Sequence, residues 1–381
     1  MSWDDGAMMT GQLMRWQEDP GGDHVAAWRS ENDARVPGRV VVVDDRTKAD
    51  DAFRWACEGT GMVWRGDFHH ARQLLKALTK RVDRKDPKVG DSLTETFHRY
   101  RQAQGRRARI LGMLLVCVDA GHVLRLRRAP DVQAACEAVY GPGEGRYVVS
   151  LRELQGVLSA AEWRRRGVRL PALGDTIVPH YGVFSPVRGE YLDLVARAPI
   201  PSYGSAFDVG TGTGVLAAIL ARRGIEKVIA TDQDERALAC ARENMDRLGL
   251  SDRVVVERTD MFPAGRAPLV VCNPPWLPVK PRTPLEYAVY DPGSRMLRSF
   301  VGSLNEHLDQ NGEGWLIISD LAERLGLRGP TELPDLIERA GLRVVDRLDT
   351  RPVHSRARDR LDALHAARAA EVVSLWRLAG V

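Results

Sequence analysis

Four consecutive residues, Asn273-Pro274-Pro275-Trp276, are of types that together can activate a nitrogen. The lone pair of an amide or aromatic amine is delocalised into its neighbouring π system, so such a nitrogen attacks an electrophilic carbon poorly. Hydrogen bonds from its N–H groups to the side-chain oxygen of Asn273 and the carbonyl of Pro274 would favour a more tetrahedral nitrogen and stabilise positive charge as it develops. Pro274 and Pro275 stiffen the turn and hold both acceptors in place before a substrate arrives. Trp276 offers a flat face for stacking, or a wall beside a planar group. In-line transfer then depends on positioning and requires no general base or metal.

A second segment supplies the electrophile's seat. Phe207-Asp208-Val209-Gly210-Thr211-Gly212-Thr213-Gly214 follows an expected strand and opens an expected helix. Its glycines let the backbone turn tightly and approach a ligand closely. Asp232 closes the next strand, where a carboxylate can accept hydrogen bonds from both hydroxyls of a ribose. Together these features describe an adenosine-containing ligand. The glycines run GxGxG and not the GxGxxG of dinucleotide sites, and Asp208 would repel a pyrophosphate. That carboxylate can instead pair, directly or through water, with the ammonium of a methionine moiety. Asp260-Met261-Phe262 follows the third strand: Asp260 can accept from the exocyclic amine of adenine and Phe262 can cover the ring, although a surface turn reads the same way. A nucleotide-dependent oxidoreductase is the competing reading, disfavoured by the glycine spacing, Asp208 and the tetrapeptide. A binding module without catalysis is disfavoured because loop and tetrapeptide are both undamaged.

Alternating strands and helices must position these segments. Strands are expected at 205–209, 227–231, 253–257, 269–272 and 314–319, with helices at 215–223, 235–248 and 334–340. That alternation predicts a parallel sheet covered on both faces, with ligands at the carboxyl ends of its strands. The last two strands, 342–348 and 371–378, follow one another with no obvious helix between them. Tyr287 to Asp291 and Arg295 come just after the tetrapeptide, where a lid over the substrate belongs, so Tyr290 and Arg295 are candidate substrate contacts. Arg351 to Arg368, rich in Arg and His, joins the last strands and either reads substrate charge or is solvated.

The first 174 residues carry no catalytic signature. A strand at 39–43, helices at 48–58, 71–84 and 130–140, a buried strand at 110–118 and an adjoining strand at 123–128 predict a smaller mixed α/β domain. Leu170 to Pro186 reads as the connection, giving domains 1–174, for substrate recognition, and 175–381, for catalysis. The net charge of +4 does not itself argue for nucleic acid. From Arg65 to Arg128, however, sixteen Lys or Arg face six Asp or Glu, an excess suited to phosphates or to a solvated face. His69-His70 reads as surface or packing. The five cysteines lack metal or disulfide spacing, no apolar run spans a membrane, and residues 1–20 do not resemble a signal peptide, so a cytoplasmic protein without metal is expected.

From about residue 180 onward the sequence resembles class I methyltransferases with an NPP[Y/F/W] motif, especially release-factor glutamine N5-methyltransferases and the small-domain enzymes that modify ribosomal RNA. The matching residues are Phe207 to Gly214, Asp232, Asp260 and Asn273 to Trp276, Asn273 being a candidate for cofactor binding as well as catalysis, and Tyr181 to Val195, with Phe184, resembles the segment that covers the cofactor. The resemblance implies a Rossmann-like seven-stranded sheet with a terminal antiparallel hairpin, S-adenosyl-L-methionine as cofactor, and methyl transfer to an amide or exocyclic amino nitrogen. The acceptor expected is nucleic acid, ribosomal RNA foremost, with protein glutamine or a small molecule as alternatives. The chain departs from the glutamine enzymes at Trp276, where they have Tyr, at Pro186-Val187-Arg188, where they have Pro-Arg, and throughout residues 1–174.

Overall fold

The computed structural model describes residues 12–18, 21–84, 89–186, 189–353 and 359–381. Val187 and Arg188, Lys85 and Lys88 of the basic stretch, and 354–358 of the Arg- and His-rich segment lie outside the described residues. Packing gathers the chain into two compact units, Met1–Lys88 with Tyr100–Ala161, and Val89–Arg99 with Glu162–Val381.

In the first unit a mixed sheet has the order β1-β2-β6-β5-β4-β3, formed by β1 (Leu13–Glu18), β2 (Gly22–Trp28), β3 (Arg39–Val43), β4 (Thr60–Trp64), β5 (Leu114–Val118) and β6 (Tyr147–Ser150). β4 is buried along its whole length, as a central parallel strand should be. Two expectations fail here. The apolar run 110–118 is divided, because Ile110 and Leu111 finish the helix Leu93–Leu111 and the strand begins only at Leu114; apolar runs do not by themselves distinguish buried helix from buried strand. The strand expected at 123–128 does not form. Val123 makes an isolated bridge to Asp119, and the arginines that follow turn to carboxylates, Arg125 to Asp119 and both Arg127 and Arg128 to Asp67.

The second unit starts with a two-stranded ribbon, β7 (Val168–Leu170) and β8 (Asp175–Ile177), inside the segment read as a connection. Leu170, Leu173 and Ile177 are buried in this unit's core, so these residues pack with the second unit. The main sheet has the order β11-β10-β9-β12-β13-β15-β14, with β9 (Ser205–Val209), β10 (Lys227–Asp232), β11 (Val254–Arg258), β12 (Ala267–Cys272), β13 (Leu308–Ser319), β14 (Leu342–Thr350) and β15 (Val373–Gly380). β9 to β13 are parallel, and β15 runs antiparallel to both its neighbours. This is the expected seven-stranded α/β sheet with its terminal hairpin, although a short helix, His365–Ala370, interrupts that hairpin.

Alternation along the strands builds two cores. Ala206, Leu269, Val271, Trp315 and Ile317 face one side, beneath the apolar helix Val215–Arg222. Phe207, Val209, Val270, Leu316 and Ile318 face the other, beneath the helix Arg295–His307. The helix Glu235–Leu248 has clear ends: the Asp234 carboxylate accepts from the Arg236 N–H at its start, and Gly249 adopts the left-handed conformation at its finish.

Candidate active site

The order of strands dictates the site. β9 continues outward through β10 to β11, whereas β12 returns to its other side, so the chain changes direction between β9 and β12. In open sheets the crevice forms at such a point. Val209 is paired with Cys272 in the register of these parallel neighbours, so Gly210 and Asn273 leave the sheet side by side, from the same end. Asp232 ends the strand on the opposite flank of β9, and Asp260 follows the end of β11.

The glycine turn is tied to β10 by hydrogen bonds from the Gly210 and Thr211 N–H groups to the Thr231 carbonyl, at 2.9 and 2.8 Å. Gly210, Gly212 and Gly214 all have positive φ, at 74°, 55° and 79°, which a side chain would strain. A Cβ on Gly210 would lie 2.4 Å from Met296 Cε, whereas one on Gly212 would meet nothing within 4 Å. The turn therefore packs tightly at its entry and presents open space at its apex. The Gly212 N–H donates to Asp232 Oδ2 at 3.0 Å, joining the two ligand-binding candidates directly.

Asp208 is fully buried. Its Oδ2 accepts from Thr211 Oγ1 at 2.6 Å and from the Ala217 N–H at 3.0 Å. Its Oδ1 is buried and has no hydrogen-bond partner among the described residues. Burial pushes this carboxyl up to about 6, against the opposing effect of those two hydrogen bonds. Such an oxygen can accept a hydrogen bond from a water, an ion or a polar or cationic ligand. Burial raises Asp232 in the same direction.

At the end of β12, Trp276 Nε1 donates to Asn273 Oδ1 at 2.9 Å. This fixes the orientation of the amide and still leaves the oxygen a second lone pair. The Asn273 amide also meets the hydroxyl of Tyr191, a buried residue of the helix Glu190–Arg197. The Tyr191 ring stands edge-on to Trp276, with centroids 6.4 Å apart and planes at 86°. Beyond Trp276, Leu277 is pinned to the segment Val289–Asp291 by hydrogen bonds at both its N–H and its carbonyl, which brings Tyr290 beside the tetrapeptide. Buried Asp291 then accepts from the Met296 and Leu297 N–H groups at 2.9 and 3.2 Å.

Residues 176–324 match the family model of the methyltransferase small domain. A release factor glutamine methyltransferase from Cereibacter sphaeroides is 30% identical over 192 residues, covering 45% of this chain and 66% of its own length. A tRNA1(Val) (adenine(37)-N6)-methyltransferase from Vibrio parahaemolyticus is 36% identical over 95 residues, 24% of this chain and 40% of its own. A ribosomal protein L11 methyltransferase from Pelotomaculum thermopropionicum is 43% identical over 72 residues, 18% of this chain and 23% of its own. The chain thus spans less than two thirds of each of these three relatives. Residues 176–324 are thus similar to a methyltransferase small domain.

Around this methyltransferase-like segment several sequence candidates stand in relations that their spacing did not reveal. Asp260 pairs with Arg295 at 2.6 Å, linking a cofactor candidate to a substrate candidate. Both are more than half exposed, and such a pair contributes only about 0–1 kcal/mol. The Phe262 ring stacks on His307 and Phe300, with centroids 4.3 and 5.6 Å away, so it already serves the core beneath the helix Arg295–His307. Met261 takes a positive φ of 78°, and its carbonyl accepts from Thr231 Oγ1 at 2.5 Å, which anchors the turn carrying Asp260. Phe184 is half-buried; Val183 next to it packs on Ala237 and Cys240 of the helix Glu235–Leu248.

Tyr191 and Asn244 were not singled out by the sequence. Asn244, buried in that same helix, donates to the Thr213 carbonyl at 2.9 Å and accepts from the Val178 N–H at 2.8 Å, bracing the glycine turn. No motif marks either residue, since each acts through contacts made only on folding. His70 binds Asp45 and His69 binds Gln73, consistent with a surface role. No helix among the described residues is long and apolar enough to cross a membrane.

Proposed function

We propose that the protein is an S-adenosyl-L-methionine-dependent N-methyltransferase acting on an amide or exocyclic amino nitrogen. The observation that carries this is the emergence of the Asp208–Gly214 turn and Asn273 from adjacent parallel strands, at the same end of the sheet. The residues present suit the cofactor. Asp208 offers an unpartnered buried oxygen for an ammonium, Gly212 an open face, and Asp232 a carboxylate for ribose hydroxyls. When bound, the cofactor supplies an electrophilic methyl on a sulfonium.

The chain's own residues then bind and orient. Asn273 Oδ1, held by Trp276, accepts an N–H of the acceptor through its remaining lone pair, and the Pro274 carbonyl accepts another. Pro275 stiffens the turn. These acceptors strengthen their hold as positive charge grows on the nitrogen, which favours the transition state over the ground state. Tyr290 and Trp276 wall the acceptor group, and Arg295 holds Asp260 at the rim.

Nucleic acid is the acceptor we infer. The basic stretch of the first unit and the similarity to a tRNA adenine enzyme favour it. The longer similarity to a release factor glutamine methyltransferase favours protein glutamine as a second reading. Calorimetry should show S-adenosylhomocysteine binding and no NADH binding; the reverse would remove the methyltransferase reading. Labelled cofactor incubated with cell extract should leave ribonuclease-sensitive label. Label that survives ribonuclease and vanishes with protease makes protein the acceptor.

A further inference from the structure

The excess of cations between Arg65 and Arg128 is not spread evenly over the surface. Arg65, Arg81, Arg99, Arg107, Arg125, Arg127 and Arg128 are each engaged by a carboxylate. Among the described residues Arg84, Arg106 and Arg109 form no ion pair, and neither do Arg72, Lys76 and Lys80.

Arg72, Lys76 and Lys80 lie on the helix Phe68–Val82, which contains no acidic residue. Phe68, Ala71, Leu74, Leu75 and Leu78 bury one face of it. Arg72, Lys76 and Lys80 occupy the exposed face four residues apart, hence about 6 Å apart along the axis. Like charges at this spacing destabilise a helix by roughly 0.2–0.5 kcal/mol per pair, whereas an ordinary solvated face alternates its signs. A face that accepts this penalty twice, with no packing reason, fits a partner that supplies the missing negative charge.

The start of the same helix adds two oriented cations. Asp67, buried at 1% exposure, accepts from Arg127 Nε at 2.9 Å and Arg128 Nε at 2.7 Å. Both guanidinium groups are thereby fixed yet more than half exposed. Fixed guanidinium groups suit phosphate oxygens. No large apolar residue of this helix is exposed, so the face lacks the anchor that a membrane or a protein hot spot needs.

We propose that Arg72, Lys76 and Lys80, with Arg127 and Arg128 at the helix start, form a contact surface for the phosphate backbone of RNA. The choice of RNA over other polyanions rests on reading the methyl acceptor as nucleic acid. Contacts of this kind position a strand without reading its sequence.

The test is fluorescence anisotropy on the full chain with a labelled single-stranded RNA of about 20 nucleotides, titrated at several salt concentrations. Wild-type protein is compared with the triple substitution Arg72→Gln, Lys76→Gln, Lys80→Gln and with Lys76→Glu alone. Removing three phosphate contacts should flatten the slope of log K against log salt by about 2, from roughly 0.7 per contact on a single strand. Affinity at low salt should fall at least about tenfold. The triple substitution relieves repulsion on the helix, so the fold should survive, and unchanged S-adenosylhomocysteine affinity checks this. An unchanged slope and affinity in both variants would overturn the proposal, as would equally tight binding of polyglutamate, which points to an acidic protein. If RNA binding weakens as expected but the transferred label proves protease-sensitive, this surface stands and the nucleic-acid acceptor falls.

Discussion

Asp208→Asn isolates the effect of one buried charge. Unfolded, the Asp208 carboxyl has its ordinary value of 3.8; folded, burial lifts it to about 6. The native state therefore keeps a proton between those values that the unfolded chain has released, and this group's contribution to stability falls as pH rises through the window. Above it, the difference at about 1.4 kcal/mol per pH unit makes the buried charge a standing destabilisation of roughly 3 kcal/mol. Asparagine can keep the acceptor for Thr211 and Ala217, but it does not titrate. The amide brings some constant offset of its own. Between pH 4 and pH 7, the stability of the variant relative to wild type should nevertheless rise by roughly 2–2.5 kcal/mol, the part of that effect falling inside this window. In wild type, S-adenosylhomocysteine affinity should climb to a plateau as pH passes about 6, because the ammonium meets an ionised partner only then. In the variant it should be weak and flat. The assay is unfolding and calorimetric titration across pH, following the transition that shifts when ligand is added, since two compact units need not unfold together. Parallel pH profiles for the two proteins, in stability and in affinity, would refute the reasoning.

Further outcomes follow from other contacts. Asn273→Ala should lower kcat roughly 10²–10³-fold while leaving S-adenosylhomocysteine affinity unchanged, as expected for an acceptor that acts on developing charge; single-turnover kinetics with the extract-derived acceptor checks it. Trp276→Phe keeps a ring but removes the N–H that orients Asn273, and should reduce kcat more than it raises KM. Gly214→Ala meets φ 79° and a Cβ position 2.8 Å from Met245 Cε; it should destabilise the catalytic unit by at least about 1–2 kcal/mol and weaken cofactor binding, read by thermal shift. In the first unit, Glu153 is buried at 6% exposure and accepts from the Glu31 N–H, Asn32 and Tyr140 at 3.0–3.1 Å. Glu153→Ala leaves those donors unsatisfied and should destabilise that unit by about 3 kcal/mol, measurable by chemical denaturation.

The catalytic half was legible because its local signals agree. Alternating apolar runs, a glycine turn that tolerates positive φ, and an acid closing the next strand each act over a few residues, and each points to the same sheet. The first half was less legible where local patterns compete. Ile110 and Leu111 are apolar enough for a strand, yet helix propagation from Leu93 claims them. Val123 to Arg128 alternates like a strand, yet only Val123 makes a bridge and Arg125, Arg127 and Arg128 pair with carboxylates.

Composition and spacing alone determined which residues could do chemistry and the kind of sheet that would carry them. Tertiary structure decided their partners. It set Val209 against Cys272, so that two loops 63 residues apart in the chain leave the sheet together, Gly210 beside Asn273. It brought Tyr191 and Trp276 onto Asn273, Arg295 onto Asp260, and Phe262 into the core. It also separated cations engaged by carboxylates from Arg72, Lys76 and Lys80 on the helix Phe68–Val82, which form no ion pair among the described residues. Local sequence specifies backbone conformation through sterics and hydrogen bonding. Which side chains meet depends on register and strand order, and those are fixed only when the two cores close on the sheet.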